Sequence, residues 1–294
     1  MGKQNVENPS FPSASDARVA KPDEERRLVD VPLSSAAKIT LERREQIVLI
    51  GINRPKNFNR IDPETFYSLA EAYYDFDNDS TLRAAVLFGH GENFSRGNDV
   101  DAFSALAKSG KSFTLGEGQL DPLGRTQKLS KPLVAVVHGD TWNMGHELHL
   151  VADVRVASAE VRYGQTENAH GRVPGIAPVR FAREAGWANS MRYMLTGDLW
   201  DAQTAYRMGI LQEVAPNRAA ALKLGVDLAH RIAACGPLGI KATLGVARLG
   251  ANDSADAAAF AKLEAEYVSL FRSEDFIEGR KAEAENRPPI FRGR

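Results

Sequence analysis

Apolar residues in this chain fall into two patterns. One is the short unbroken run: Ile47-Val48-Leu49-Ile50-Gly51-Ile52, Ala84-Ala85-Val86-Leu87-Phe88 and Leu133-Val134-Ala135-Val136-Val137; Val154-Arg155-Val156-Ala157, interrupted by Arg155, reads as a fourth short strand. Runs of this length are those of strands buried on both faces. The other is helical spacing. Asp62-Pro63-Glu64 reads as N-cap, first-turn proline and first-turn acid, and Phe66, Leu69, Ala70, Tyr73 and Tyr74 follow at the spacing of one helix face. His146 to about Ala152 is expected to be helical. So are Asp201 to Gly209, stopped by its glycine, Asn217 to Ala234, and Gly239 to about Phe271. The alanines of Asp253 to Phe260 suit close helix packing. Strands alternating with helices predict parallel pairing through crossover connections. That order leaves open whether the sheet is open, coiled or closed. Residues 1–36, rich in Ser, Pro, Asp and Lys, read as a flexible extension. An α/β core over 37–235 and a C-terminal helical region over 236–294 complete the expected layout.

Composition narrows the function classes. The 294 residues are 43% hydrophobic and 26% charged, as in an ordinary globular protein. With 37 basic against 38 acidic residues the net charge is −1, so no global field recruits nucleic acid or an anionic membrane surface. The single cysteine, Cys235, forms no intrachain disulfide and is expected to be a small buried apolar group. No apolar run approaches the ~20 residues of a membrane helix. The N-terminus has no apolar signal segment, and Val6 stands where a myristoylation signal has Ser or Thr. The expected location is the cytoplasm.

Several motifs can be tested and set aside. Gly89-His90-Gly91 opens like a dinucleotide-binding loop, but Phe94 replaces its third glycine, and a turn at a strand end explains it better. No G-x-x-x-x-G-K-[ST] phosphate loop or G-x-S-x-G nucleophile elbow occurs. His146-Glu147-Leu148-His149 misses the zinc-protease pattern, since Leu150 stands where the second histidine belongs. His146 and His149 with His138 or His170 form a weaker zinc alternative.

Four blocks carry more. Asn53-Arg54-Pro55-Lys56-Asn57-Phe58-Asn59 follows the first run, and Gly91-Glu92-Asn93-Phe94-Ser95-Arg96-Gly97-Asn98-Asp99-Val100 the second. Lys131 to Gly139 leads into Met144-Gly145-His146-Glu147-Leu148, and Tyr163-Gly164-Gln165-Thr166-Glu167 into Gly171-Arg172-Val173-Pro174-Gly175. In order and spacing these resemble the crotonase superfamily of enoyl-CoA hydratases and isomerases, from about Ile39 to the C-terminus. The resemblance implies a spiral of ββα units followed by helices that build a homotrimer, often paired into a homohexamer. It implies an acyl-CoA thioester substrate, coenzyme A entering as part of that substrate, and no metal or redox cofactor.

By position, the backbone N–H groups of Asn98 and Met144 look like the two donors that cradle the thioester oxygen as it becomes an enolate. Losing one such donor typically costs ~3 kcal/mol. Glu147 and Glu167 stand where the family's hydratases carry two carboxylates. Adding water to a conjugated double bond needs a base for the water and an acid for the α carbon, each worth ~10²–10⁴ in rate. Isomerase relatives often keep one carboxylate, so the pair favours hydration of a 2-enoyl-CoA. Gly175 matches a glycine near the catalytic water, and Asn57, Arg60, Arg96 and Asp99 are placed with the substrate. Arg96, Met144, Ile176-Ala177-Pro178, Glu283 and Asn286 depart from the family's usual residues. Arg60 and Arg96 are candidate phosphate contacts, with ordinary surface arginines as the alternative. Another reaction of the superfamily (isomerisation, hydrolysis or lyase chemistry), a non-catalytic oligomeric member and a zinc enzyme are the rival readings.

Overall fold

The computed structural model describes residues 37–125, 127–170, 172–250 and 272–294. The extension over 1–36, Gly171, the alanine-rich stretch and the distal part of the helix expected to reach Phe271 lie outside the described residues, as does the side chain of Glu283.

The three apolar runs and the segment Val154-Arg155-Val156-Ala157 become the centre of one sheet. Strands β1 (Ile39–Arg44), β2 (Ile47–Ile52), β3 (Ala84–Gly89), β4 (Leu133–Val137), β6 (Val154–Ser158) and β9 (Glu213–Ala215) stand in the order β1-β2-β3-β4-β6-β9. β1 and β2 pair antiparallel, and every later pair in this sheet is parallel. The runs are continuous because both faces are covered. Ile50, Leu87 and Ala135 pack with Phe66, Leu69, Tyr73 and Phe76 of α1 (Pro63–Asn78). Leu49, Val86, Val134 and Val136 face α7 (Arg218–Ala233) through Ala221, Val226 and Ala229. Gly225 lets α7 sit close, since a Cβ there would come within 2.2 Å of Val136. Asp62 caps α1, accepting from the Thr65 N–H at 2.8 Å, and Asn217 caps α7 in the same way. Tyr74, expected on the apolar face of α1, is exposed; Phe76 takes the inward position.

A second sheet orders β5 (Asp140–Trp142), β7 (Arg162–Gly164) and β8 (Leu199–Asp201). β4 runs through Gly139 into β5 and then α3 (Met144–Val151), and β6 runs into β7. These two turns thus each give one strand to the large sheet and one to the small one. Repeated ββα turns of this kind make a spiral.

Helix α2 (Val100–Lys108) follows the loop after β3, with Asp99 as its N-cap. α4 (Ala177–Ala185), α5 (Trp187–Thr196) and α6 (Ala202–Arg207) follow the small sheet. Cys235 is exposed, contrary to expectation: it lies just past the end of α7, where its thiol donates to the Arg231 carbonyl at 3.4 Å. The C-terminal region is only partly helical. After α8 (Pro237–Gly250) and α9 (Glu274–Ala284), the last residues leave helical structure, and the N–H groups of Arg292 and Gly293 bond the Asp275 carboxylate. Among the described residues no single helix is long and apolar enough to cross a membrane.

Candidate active site

The loop after β2 and the loop after β3 are stitched together. Asn59 Nδ2 donates to the carbonyls of His90 and Asn93 at 2.7 Å each, and Ser95 Oγ donates to the Asn59 carbonyl at 2.7 Å. The Ile61 N–H bonds the Gly97 carbonyl and the Asp99 N–H bonds the Ile61 carbonyl, each at 2.8 Å. That pairing turns the N–H of the intervening residue, Asn98, away from Ile61. Ser95 extends the stitching to β5, its N–H bonding the Asp140 carbonyl and its own carbonyl accepting from Trp142.

Two glycines then bring this loop against the start of α3. A Cβ on Gly97, at φ +83°, would stand 2.7 Å from Asn143 Cβ and 3.1 Å from the Met144 nitrogen. A Cβ on Gly145 would meet the Ser95 carbonyl oxygen at 2.4 Å. Asn143, before the helix, is held at φ 53°, ψ −123°, a sparsely populated region for a residue with a side chain. Its N–H bonds the Gly164 carbonyl and its Oδ1 accepts from the Thr166 N–H at 2.8 Å, which fixes that conformation. Met144 is the first residue of α3 and has no carbonyl one turn back within the helix. Among the described residues neither the Met144 nor the Asn98 N–H finds an acceptor. Adjacent unpaired donors, one at a helix N-terminus, suit an oxygen that gains negative charge.

Glu147 lies one turn along α3 and is only 2% exposed. Its Oε1 accepts from the Ala177 N–H at 3.0 Å. Gly175 faces the same carboxylate; a Cβ there would be 2.7 Å from Oε2. Burial raises the Glu147 pKa, opposed by the backbone N–H groups of Ala177, Ile176 and Gly175. Glu167, beyond β7, is pushed up to about 7, first by burial and then by the charge of Glu147. Its Oε2 is buried without a partner among the described residues. Between the two lies buried Gln165, whose Nε2 is 3.4 Å from Glu147 Oε1 and 3.4 Å from Glu167 Oε1. The two carboxylates therefore share one amide group as a common donor. Both groups hold a proton more tightly than a free carboxylate, and their mutual repulsion favours one ionised and one protonated member.

The sequence-predicted residues fall into two groups. Glu147, Glu167, Gly175, Asn98 and Met144 converge through α3 and its neighbours. Asn57, Asp99, Arg60 and Arg96 gather around the stitched loops. Asn57 and Arg54 bond Asp99 at 3.1 and 3.3 Å, which ties the loops together at the start of α2. Arg96 is no ordinary surface arginine: its Nε and Nη2 lie 2.6 Å from the buried Asp140 carboxylate, and its guanidinium lies 3.9 Å from the Phe58 ring centroid. Arg162 approaches the other oxygen of Asp140 at 2.6 Å. Arg60 also stands over Phe58, at 5.7 Å, and has no acidic partner among the described residues.

Gln165 and Asn143 were not singled out from sequence. Gln165 stood inside a quoted block, so its place two residues before Glu167 was the available signal; nothing local announced the strain at Asn143. The histidines do not assemble. His138 bonds the Gly91 carbonyl, His170 the Thr166 carbonyl, and His146 and His149 are buried among aromatic rings. Among the described residues no three His, Cys, Asp or Glu side chains come together in a metal-holding group.

Comparison with known proteins identifies the family. The profile of the enoyl-CoA hydratase/isomerase family matches residues 42–294. The chain is 32% identical to (E)-benzylidenesuccinyl-CoA hydratase of Thauera aromatica over 87% of its own length and 99% of that protein. It is 31% identical to enoyl-CoA hydratase EchA19 of Mycobacterium tuberculosis over 89% of its length and 99% of that protein. A probable enoyl-CoA hydratase/isomerase from Mycobacterium abscessus, of known crystal structure, superposes with a TM-score of 0.83 at 38% identity, covering 87% of this chain and 99% of that one. The chain belongs to the enoyl-CoA hydratase/isomerase family of the crotonase superfamily.

Proposed function

We propose that this protein is an enoyl-CoA hydratase that adds water across the α,β double bond of a 2-enoyl-CoA to give a 3-hydroxyacyl-CoA. The observation that carries the reading is a pair of proton-retaining carboxyls on either side of one amide, beside two unpaired backbone donors. Glu147 is the base. Three backbone N–H groups favour its ionised form, so it takes the proton as water oxygen bonds the β carbon. The displaced electron pair moves to the thioester oxygen, where the Asn98 and Met144 N–H groups receive it. Glu167, pushed up to about 7, is the acid that delivers a proton to the α carbon. Protons redistribute between the pair and solvent before the next turnover, so measured pKa values belong to the pair.

Arg60 contacts a phosphate of coenzyme A, being a cation without an acidic partner; Arg96 instead holds the loop that carries Gly97. The same reading makes the enzyme a cytoplasmic homotrimer or homohexamer needing no metal. Its relatives named as hydratases, and the presence of two carboxylates rather than one, support this choice over isomerisation or thioester hydrolysis.

The test is hydration of crotonyl-CoA and longer 2-enoyl-CoAs, followed by loss of the enoyl thioester absorbance. Glu147→Gln and Glu167→Gln should each lose about 10²–10⁴ in kcat while keeping their fold. A wild type inert toward all of them would overturn the hydratase assignment and leave another reaction of the family.

A further inference from the structure

His146 is the third residue of α3, next to Glu147, and fully buried. Its ring meets Phe181 at 4.9 Å, Trp200 at 5.1 Å and Tyr163 at 5.7 Å, each edge to face. An aliphatic side chain would fill such a box without desolvating two ring nitrogens. One of those nitrogens, Nε2, has no partner among the described residues. The other, Nδ1, lies 2.8 Å from Gln165 Oε1. The polar contact of His146 is therefore with the amide that spans the two glutamates.

A primary amide in this place has two orientations. With its NH2 toward the carboxyls it donates to both. Turned over, it sets its oxygen against two carboxyl oxygens, at least one of them on an ionised group, which is repulsive. The favourable orientation leaves Oε1 facing His146, and an oxygen facing a ring nitrogen needs a hydrogen on that nitrogen. A bare Nδ1 would instead accept from the amide NH2 and favour the turned-over form.

We propose, on the reading of the protein as a two-carboxylate hydratase, that His146 is a positioning residue: as the Nδ1–H tautomer it locks the Gln165 amide, and through it the placement of Glu147 and Glu167. Burial, which pulls the His146 pKa down to about 4, is consistent with a ring carrying one proton. The bond from Nδ1 to Gln165 then sets which nitrogen carries it.

Three substitutions separate this role from packing. Asparagine puts an N–H donor near the place of Nδ1, glutamine puts one near Nε2, and leucine fills the box with no donor. His146→Leu and His146→Gln should lose about 10–10²-fold in kcat with KM little changed, as expected when catalytic groups are displaced by a fraction of an ångström. His146→Asn should stay within about 5-fold of wild type. Stability should run the other way, with leucine the most stable of the three in an apolar box and asparagine the least. Activity that follows stability, or that is the same in all three, overturns the proposal. A second readout needs no turnover: nitrogen and carbon NMR shifts of the His146 imidazole in the wild-type enzyme. Protonated Nδ1 with bare Nε2 is expected, and the opposite tautomer overturns the proposal whatever the substrate. An enzyme that hydrates no enoyl-CoA but shows the expected tautomer would lose the hydratase reading while keeping the lock on Gln165.

Discussion

Replacing Gly175 by alanine is a sharp test of how closely the Glu147 carboxylate must be held. The added Cβ would sit 2.7 Å from Oε2, 3.0 Å from Oε1 and 3.2 Å from Cδ of Glu147. A carbon and a carboxylate oxygen need roughly half an ångström more than the shortest of these, which approaches the packing limits of side-chain atoms. Gly175 is exposed and its backbone is not in the left-handed region, so alanine is sterically allowed there. The group that must yield is the end of a flexible side chain. Its displacement strains the 3.0 Å bond from the Ala177 N–H and the contact with Gln165. Folding stability should therefore change by less than about 1 kcal/mol, since the lost hydrogen bond is offset by lower entropy of the unfolded chain. Turnover should fall by about 10–10²-fold, because reacting groups misplaced by this much lose their alignment. The assay pairs steady-state hydration kinetics with urea denaturation of the same preparations. Full activity with unchanged stability would refute the claim that the Glu147 position is set by contact with Gly175. A large loss of stability would refute the claim that only the carboxylate yields.

Further expectations concern charge. Because Glu167 is raised from 4.5 to about 7 in the folded chain, its stabilising contribution is complete below 4.5 and is lost as pH rises through 7. Relative to Glu167→Gln, the wild type should lose about 1–2 kcal/mol of stability between about pH 4.5 and pH 8, allowing for solvent screening; parallel pH profiles would contradict this. Arg96→Ala leaves the buried Asp140 carboxylate with Arg162 alone, which is mostly exposed, and should cost about 3 kcal/mol by denaturation. Adding Asp140→Asn should recover part of that loss, and strict additivity would show that the two do not interact. Arg60→Ala should raise KM for a CoA thioester and leave KM for the matching N-acetylcysteamine thioester unchanged; an equal change in both would remove the phosphate contact.

What could be seen in the sequence was what leaves a local trace. Strands β2, β3 and β4 are buried on both faces and write continuous apolar runs, while α1 and α7 carry an Asp or Asn cap at their starts. β5, β7 and β8 leave no such trace. Each has three residues, and they exist because distant segments meet, as where Thr141 pairs with Tyr163 and Tyr163 with Trp200. α4 and α5 open without a side-chain cap, so neither start carries a capping signal. The site shows the same division. Block spacing is what marks Glu147, Glu167 and the donor positions as candidates. The partnership of Arg96 with Asp140 depends on a neighbour 44 residues away along the chain. The amide of Gln165 was visible as a letter, but its place between two carboxyls depends on the register of β7 against β5 and α3.

The two free donors come from different turns of the spiral, and what joins them is Ser95, bonded to the loop after β2 on one side and to β5 on the other. The order of events in refolding follows from this. Helices and the strands of any one turn can form before the turns dock, but the donor pair has no existence until they do. After dilution from denaturant, helicity should recover first and catalytic competence later, on the timescale of turn-to-turn docking. A chain stalled with its turns undocked would look largely folded by its backbone signal and yet be inert.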